Sequence, residues 1–248
     1  MITLSDIKDT FRHYLYMDDY NMVDVVLGCI VANQQLSDPV SLYIIGPPSS
    51  GKTEVMEACE LYHRVSFQSK ITPKTFLSGF VPDKGTGAGA NSKPNSNSRE
   101  KSLLVELTAL GKNVLMFKDF TSIISMNPND RASLIGDIRE IADGKFTARY
   151  GTGEYIRWSG KIGMIAGVTY AIDTMWSINA NLGERFISWR MRNDDDPVGQ
   201  ARLARESTNE IRHYRTLTRE LVNDFLMQFD TPCPVIPYDP ELCSMVDN

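Results

Sequence analysis

The residues with the clearest chemical potential form an eight-residue segment, Gly-Pro-Pro-Ser-Ser-Gly-Lys-Thr, at positions 46–53. It fits the pattern G-x-x-x-x-G-K-[ST], in which glycines let successive backbone N–H groups face a polyphosphate. In this pattern Lys52 reaches the β- and γ-phosphates and the Thr53 hydroxyl ligates Mg²⁺. A short apolar run precedes the segment and a helical pattern follows it, which is the strand, loop and helix context that the motif requires. The sequence therefore predicts a nucleoside triphosphate site, formed by Gly46, Pro47, Pro48, Ser49, Ser50, Gly51, Lys52, Thr53 and Glu54.

Such a loop needs an acidic residue near the metal, supplied by the end of a neighbouring apolar strand. Asp119 is the candidate, because it follows the apolar run 113–117, but Lys118 stands between them. In one alignment Asp119 binds Mg²⁺ and the acidic residue that positions water is missing. In the other, Asp119 positions water and Lys118 replaces the metal ligand. We prefer the first alignment, and hydrolysis depends on this choice whereas ATP binding does not.

The positions of these residues require an α/β fold, a parallel sheet flanked by helices. Apolar runs predict strands at 41–45, 65–69, 113–117, 161–166 and 185–189, with helical patterns at 53–62, 98–110 and 130–143. A hairpin is expected at 145–158, around Gly151-Thr-Gly153. The Gly-, Ser- and Asn-rich stretch 82–98 predicts a mobile loop, either passive or in contact with substrate or DNA. We divide the chain into a helical leader (1–35), an α/β core (36–192) and a helical lid-like segment with a tail (193–248).

Bulk composition sets the broad class. The chain has 248 residues, 42% of them hydrophobic and 23% charged, with a net charge of −5, which is typical of a soluble α/β domain with a small appendage. This charge excludes a protein that is basic over its whole surface, but not a local basic groove. The four cysteines form no C-x-x-C pair, so we expect reduced thiols and no zinc. Neither a charged-then-apolar leader nor a membrane-length apolar run is present, and we expect a cytoplasmic protein outside the membrane.

Four segments, in this order, resemble the AAA+ ATPases: GPPSSGKT at 46–53, VLMFKDF at 114–120, IGMIAGVT at 162–169 and LGERF at 182–186. The hairpin expected before the third segment is similar to that of the branch containing MCM helicases, MoxR-type ATPases and σ54 activators. The resemblance covers roughly residues 35–192. It implies a P-loop NTPase fold of the AAA+ type with a small C-terminal helical lid, ATP and Mg²⁺ as cofactors, and ATP hydrolysis as the activity.

The resemblance also implies roles for two further residues. Thr169 stands where the family places a polar sensor 1 residue that orients the attacking water, although Asn is more common there. Arg185 matches the arginine finger, which reaches the γ-phosphate held by a neighbouring subunit; the alternative is an ion pair with Glu184 or another acid. A finger of this kind implies a homo-oligomer, usually a hexamer. The family's lid also supplies a sensor 2 arginine. The candidates are Arg202, Arg205, Arg212, Arg215 and Arg219. The sequence does not show which of them has this role, and they are also compatible with a solvated helix face.

The predicted hairpin carries basic and aromatic residues, namely Lys145, Arg149, Tyr150, Arg157 and Trp158. In MCM-like relatives such a hairpin contacts DNA, and cations interleaved with aromatic rings suit phosphate contact and base stacking. Alternatively, Tyr150 and Trp158 pack on the sheet. The function expected is a helicase-like or DNA-remodelling ATPase, in replication or recombination of a phage or mobile element. Two alternatives stay open: a nucleotide-gated loader or adaptor with little hydrolysis, and a protein-remodelling ATPase whose pore loop would lie near 77–80. Either alternative would work with a partner protein.

Overall fold

The computed structural model describes residues 1–17, 19–69, 71–72, 75–76, 102–149, 155–174, 185–192 and 196–231. These contain seven strands: β1 (Ser41–Ile45), β2 (Val65–Gln68), β3 (Val114–Phe117), β4 (Lys145–Arg149), β5 (Tyr155–Ser159), β6 (Gly163–Val168) and β7 (Phe186–Arg190). Five of them form a parallel sheet in the order β2-β3-β6-β1-β7. The expected parallel sheet is therefore confirmed, and each of its strands lies within two residues of the predicted bounds.

Because the five strands run in one direction, the sheet has two different ends. We call the end at which the strands finish the carboxyl edge and the end at which they begin the amino edge. Residue 46, which follows β1, lies at the carboxyl edge, whereas Arg185, which precedes β7, lies at the amino edge. The residues that directly follow parallel strands lie close together at the carboxyl edge. Ligands of α/β sheets bind at this edge.

Helices cover both faces of the sheet. On one face lie α1 (Leu4–Arg12), α2 (Asn21–Ala32), α3 (Lys52–Glu57) and α8 (Ile211–Met227), packed against alternate strand residues such as Leu42 and Ile44. On the other face, α4 (Leu103–Ala109), α5 (Thr121–Ile124) and α6 (Pro128–Ala142) pack against Tyr43 and Ile45. Both faces of β1 are thus buried, as expected for a strand in a parallel sheet covered by helices. The remaining α-helix, α7, spans Pro197–Glu206 and precedes α8.

Local signals set the ends of α6. The Asn127 side chain accepts the backbone N–H of Asp130, Pro128 occupies the first turn, and Gly144 takes a left-handed conformation (φ 73°) just beyond the helix. This helix begins two residues before the predicted start, because the cap precedes the apolar pattern. Helix α3 is shorter than predicted: it ends at Glu57, and hydrogen-bonded turns continue to residue 61.

The hairpin is confirmed: β4 and β5 pair antiparallel, with Lys145 opposite Ser159. Its turn lies outside the described residues, as do the predicted mobile loop at 82–98 and the pore-loop candidate at 77–80. Phe146 and Trp158 are buried on the α4–α6 face of the sheet.

The leader and the last described helix lie together. Helix α8 packs on α1 and α2, and Val222, Phe225 and Leu226 belong to the same buried cluster as α2 and β1. The division of the chain at residues 35 and 192 stays a prediction. Among the described residues, no helix combines the length and the apolar character needed to cross a membrane.

Candidate functional site: the loop at the carboxyl edge

The predicted phosphate-binding loop leaves β1 and turns sharply before α3. The Gly46 N–H donates to the Val168 carbonyl of β6 (3.1 Å), which fixes the start of the loop to the neighbouring strand. Within the loop, Ser49 and Gly51 both have left-handed backbones, with φ of 61° and 87°. Such a conformation favours glycine, and a Cβ at Gly51 would also stand 3.2 Å from the Met17 sulfur. The left-handed backbone at Gly51 therefore favours the second glycine of the motif.

The Lys52 side chain turns back into this loop. Its Nζ donates to the carbonyl oxygens of Gly46 (2.9 Å) and Pro47 (2.5 Å) and to the Ser50 Oγ (3.0 Å). Ser50 in turn donates to the Pro47 carbonyl (2.8 Å). With 9% of its surface exposed, Lys52 is buried, and burial lowers the pKa of its ammonium while the nearby Asp119 carboxylate opposes this effect. The loop thus encloses a positive charge held by weak acceptors that phosphate oxygens can replace.

A cavity of about 270 Å³ lies against the loop. It is lined by residues 49–54 and by Leu15 from the segment after α1. Pro48 and Thr53 are exposed, so the Thr53 hydroxyl is accessible from solvent. The volume is slightly below the range of about 300 Å³ upward that is usual for small-molecule sites, and it suits a phosphate chain better than a whole nucleotide.

The loop is covered by three side chains that sequence reasoning did not identify. Leu15 and Met17 would contact a Cβ at Gly51 (3.4 and 3.2 Å), and the Met191 sulfur would stand 2.8 Å from a Cβ at Gly46. A tyrosine links this segment to the chain beyond β7, because the Tyr16 hydroxyl donates to Asp196 (3.3 Å). These contacts join residues far apart in the chain, and no local motif predicts them.

Asp119 and Thr169 follow two strands that lie beside each other at the same edge. The Phe120 N–H donates to the Gly167 carbonyl (2.9 Å), which ties the segment after β3 to β6. The exposed Asp119 carboxylate accepts the Thr121 N–H (2.9 Å), and the hydroxyls of Thr121 and Thr169 lie 3.4 Å apart. The sheet therefore brings Lys52, Asp119 and Thr169 to one edge, with Thr121 as an additional hydroxyl.

Lys118, the unusual residue before Asp119, points toward α3. Its Nζ donates to the Glu57 carboxylate (2.7 Å) and stands 5.3 Å from the centre of the Phe67 ring. Lys118 is thus neutralised by an acid of the helix that follows the loop. The two alignments of Asp119, as metal ligand or as water-positioning group, remain alternatives.

The carboxyl edge offers oxygen atoms of the kind that bind Mg²⁺. Mg²⁺ is usually held by one or two carboxylates together with substrate phosphates and water, and the exposed Thr53 hydroxyl and Asp119 carboxylate are of this type. Among the described residues, no group of three or more His, Cys, Asp or Glu side chains could hold a metal ion by itself.

Arg185 lies apart from this site. Its guanidinium makes a two-point contact with Asp143, from Nε to Oδ1 (2.7 Å) and from Nη2 to Oδ2 (2.9 Å). This pairing raises the pKa of Arg185 and lowers that of Asp143. The ion pair that the sequence offered as an alternative is thus present, with Asp143 as the acid. Because β1 and β7 are parallel, Arg185 and the loop are separated by the length of β1.

Two residues of the hairpin place positive charge at the surface. Lys145 and Arg157 are exposed, whereas the Arg149 side chain and Tyr150 lie outside the described residues. Trp158 is 5% exposed, and its Nε1–H donates to the Thr108 Oγ1 of α4 (2.8 Å). Of the two alternatives for Trp158, base stacking and packing, the structure shows packing, because the ring fills the space between hairpin and helix.

The arginines of the last two helices have different surroundings. Arg202 pairs with Glu206 within α7, whereas Arg215 and Arg219 of α8 reach acids near α3. Arg215 makes a two-point contact with Glu54, directly after the loop. A sequence signal existed: Glu54, Glu57 and Glu60 recur every three residues, and Arg215 and Arg219 are four apart, so each set lies on one helix face.

Comparison of the sequence with protein-family models and with curated proteins gives no match. The function is therefore argued from the geometry of the carboxyl edge.

Proposed function

We propose that the protein is a Mg²⁺-dependent ATPase of the AAA+ type that works as an oligomer on nucleic acid. The observation that carries the proposal is the position of Lys52: its ammonium is enclosed by the loop at 46–53, at the carboxyl end of β1 and near Asp119. A buried cation surrounded by backbone groups at this end of a parallel sheet is suited to a polyphosphate.

The topology of the sheet supports a nucleotide site at this place. From β1 the chain continues to β2, at the far side of the sheet, whereas β7 lies on the opposite side of β1. The connections therefore diverge beside β1. In open parallel sheets, ligands bind in the crevice at such a switch point, outside the carboxyl ends of the strands.

In the proposed mechanism, phosphate oxygens replace the carbonyl partners of Lys52, and loop N–H groups surround the phosphates. Thr53 and Asp119 would hold Mg²⁺, which would neutralise negative charge on the phosphates. Thr169 and its neighbour Thr121 offer hydroxyls that orient water at the strand ends. Arg185 of a neighbouring subunit completes the site by neutralising charge on the transferred phosphoryl group.

The oligomeric and nucleic-acid parts of the proposal rest on the amino edge. Arg185 is too far from the loop of its own chain to contact the same nucleotide, which supports action in trans. Lys145 and Arg157 lie on exposed positions of the hairpin, and exposed cations on one element suit phosphate backbones. We place the nucleic acid against this surface.

A second candidate function is a nucleotide-gated assembly switch with little hydrolysis. The observation that favours it is the Lys118–Glu57 ion pair. In the alignment that makes Asp119 the water-positioning group, Lys118 stands where an ATPase places its metal-binding acid, and Glu57 neutralises this cation. Under this alternative, ATP binding drives association and the γ-phosphate is retained.

ATP turnover over a range of protein concentrations, with and without single- or double-stranded DNA, tests the proposal. We expect turnover to rise more steeply than protein concentration, to increase with DNA, and to vanish in Lys52→Ala, whose affinity for ATP should fall by about two orders of magnitude. Arg202→Ala, which removes an exposed cation elsewhere, should behave as the unmodified protein. Tight ATP binding without turnover under any condition would favour the assembly switch, and absence of ATP binding would exclude both candidates.

The hairpin is tested in the same assay. Lys145→Ala combined with Arg157→Ala should reduce DNA stimulation and lower the slope of log affinity against log salt by about one for each phosphate that the hairpin no longer neutralises. Arg202→Ala combined with Arg205→Ala removes the same charge from α7 and serves as the control. An unchanged salt slope in the hairpin variant would place the nucleic acid elsewhere.

A further inference from the structure

An acidic side chain lines the proposed phosphate site. Glu54 directly follows Thr53, and it contributes to the wall of the cavity beside Lys52. A carboxylate next to a bound polyphosphate is unfavourable, because like charges at short range repel, and more strongly in a partly buried site. The site therefore requires a way to neutralise Glu54.

Arg215 provides that neutralisation from a distant part of the sequence. Its Nε donates to Glu54 Oε2 (2.9 Å) and its Nη2 donates to Oε1, a two-point contact between residues 161 positions apart. Planar pairing of this kind fixes both side chains, and it directs the carboxylate oxygens toward α8. Both oxygens of Glu54 are thus engaged by a single arginine.

Packing holds α8 in the position that this contact requires. Tyr14 is buried beside Thr218, whose hydroxyl donates to the Tyr214 carbonyl (2.7 Å), and the rings of His13 and Tyr214 stack with centroids 4.6 Å apart.

The same helix faces a second acid of α3. Arg219 lies 3.7 Å from Glu57 and 3.4 Å from Glu60, while Lys118 binds Glu57 from the sheet side. Three acids that follow the loop are thus matched by three cations, and two of these cations come from α8. The electrostatic balance around the loop therefore depends on α8.

We propose that Arg215 is a positioning residue of the phosphate site, which permits polyphosphate binding by neutralising Glu54 and holding its carboxylate toward α8. The inference rests on the proposed nucleotide site and adds a requirement within it. Arg215 acts through Glu54, not by touching a phosphate. A consequence follows for specificity: the benefit grows with the charge of the ligand, so ATP depends on Arg215 more than AMP does.

Equilibrium titration of ATP·Mg²⁺ and of AMP by calorimetry tests this inference with four variants. Arg215→Gln should weaken ATP binding at least tenfold, or about 1.4 kcal/mol, and AMP binding no more than about threefold. Arg215→Lys keeps the charge and should stay within about threefold of the unmodified protein. Glu54→Gln should bind ATP as well or better. The double variant Glu54→Gln/Arg215→Gln should recover ATP affinity to within about threefold, because both charges are removed.

The double variant separates electrostatics from structure. If it binds ATP as weakly as Arg215→Gln alone, Arg215 touches the phosphate or supports the fold, and the inference is wrong. Equal losses for ATP and AMP in Arg215→Gln would also contradict it. The exposed pair Arg202–Glu206 of α7 offers matched controls: Arg202→Gln and Glu206→Gln should change neither affinity. Failure of the unmodified protein to bind ATP would instead refute the proposed function, so the two failures are distinguishable.

Discussion

The two edges of the sheet contain different residues of the proposed site. At the carboxyl edge, Lys52, Asp119 and Thr169 come from three separate segments and lie at the same end of the sheet. At the amino edge, Arg185 is bound to Asp143 of its own chain, beside the base of the hairpin. A single chain thus assembles the phosphate side of the proposed site, whereas its arginine faces outward from the other end.

The separation follows from strand geometry. Ser41 pairs with Phe186 and Ile45 with Arg190, so Arg185 and the loop are about one strand apart. Five residues at about 3.3 Å each give roughly 16 Å, which exceeds the reach of an arginine side chain. Under the proposed function, the difference between the two edges means that a second copy of the chain must bring the amino edge of one subunit to the carboxyl edge of another.

The largest effect that tests this comparison is expected from Arg185→Ala. Turnover should fall by about 10³, as for removal of an arginine that acts in trans, while ATP affinity changes little because the carboxyl edge is intact. Mixing Arg185→Ala with Lys52→Ala should restore part of the turnover, since a Lys52→Ala subunit still supplies Arg185 to its neighbour. The measurement is phosphate release from each variant alone and from their equimolar mixture.

Two results would contradict that arrangement. Loss of ATP binding in Arg185→Ala would mean that the arginine supports the fold. Absence of recovery in the mixture, with both variants shown to co-assemble by sedimentation, would mean that Arg185 does not act on a neighbour's site. Arg202→Ala serves as the control, because Arg202 is an exposed cation that pairs with Glu206 within α7.

Local patterns predicted the elements of this molecule well. The parallel strands and the hairpin follow from apolar runs and turn residues, and the loop follows from a motif whose glycine and lysine positions have local causes. The placement of Arg185 at the start of β7 was also implied by the strand prediction.

Contacts between distant segments were not predicted. The Glu54–Arg215 and Arg185–Asp143 pairs depend on how helices and strands are packed, and one sequence does not fix which of many charges meet. Trp158 shows the same difficulty: an aromatic residue beside cations suits base stacking, but the ring is buried because α4 lies next to the hairpin and Thr108 accepts its N–H.

A smaller effect is expected in α6, the helix that ends just before Asp143 of the amino edge. Asp137 Oδ2 is buried without a hydrogen-bond partner among the described residues, and burial, aided by the charge of Glu140, raises the carboxyl pKa from 3.8 to about 6. Asp137→Asn should therefore raise the free energy of unfolding at pH 8 by about 1 kcal/mol, a value reduced for partial solvent screening.

The size of this effect depends on pH. Well below pH 3.8 the carboxyl is protonated in both states, and Asp137 carries no charge penalty. As the pH rises from about 3 through 6, the unfolded chain loses this proton first, so the native state loses stability relative to the unfolded state. Urea unfolding at about pH 3 and pH 8 measures the change: the gain in Asp137→Asn should appear at pH 8 and be nearly absent at the lower pH. An equal gain at both pH values would show that packing, not charge, is responsible.

The smallest effect is expected at the contact that holds Arg185 within its own chain. The Arg185–Asp143 pair is largely exposed, with 34% and 51% of the side-chain surfaces accessible, and exposed pairs stabilise by about 1 kcal/mol at most. If Arg185 must leave Asp143 to reach a neighbour, Asp143→Asn removes up to that cost and should raise turnover about threefold at low protein concentration. At saturating protein concentration the gain should shrink, since assembly then already favours the released arginine.

The alternative is that Asp143 holds Arg185 in the orientation used across the interface; turnover in Asp143→Asn would then fall at every protein concentration. The direction of the change in turnover, measured against protein concentration, therefore decides whether Asp143 keeps Arg185 from a neighbouring subunit or orients Arg185 toward it.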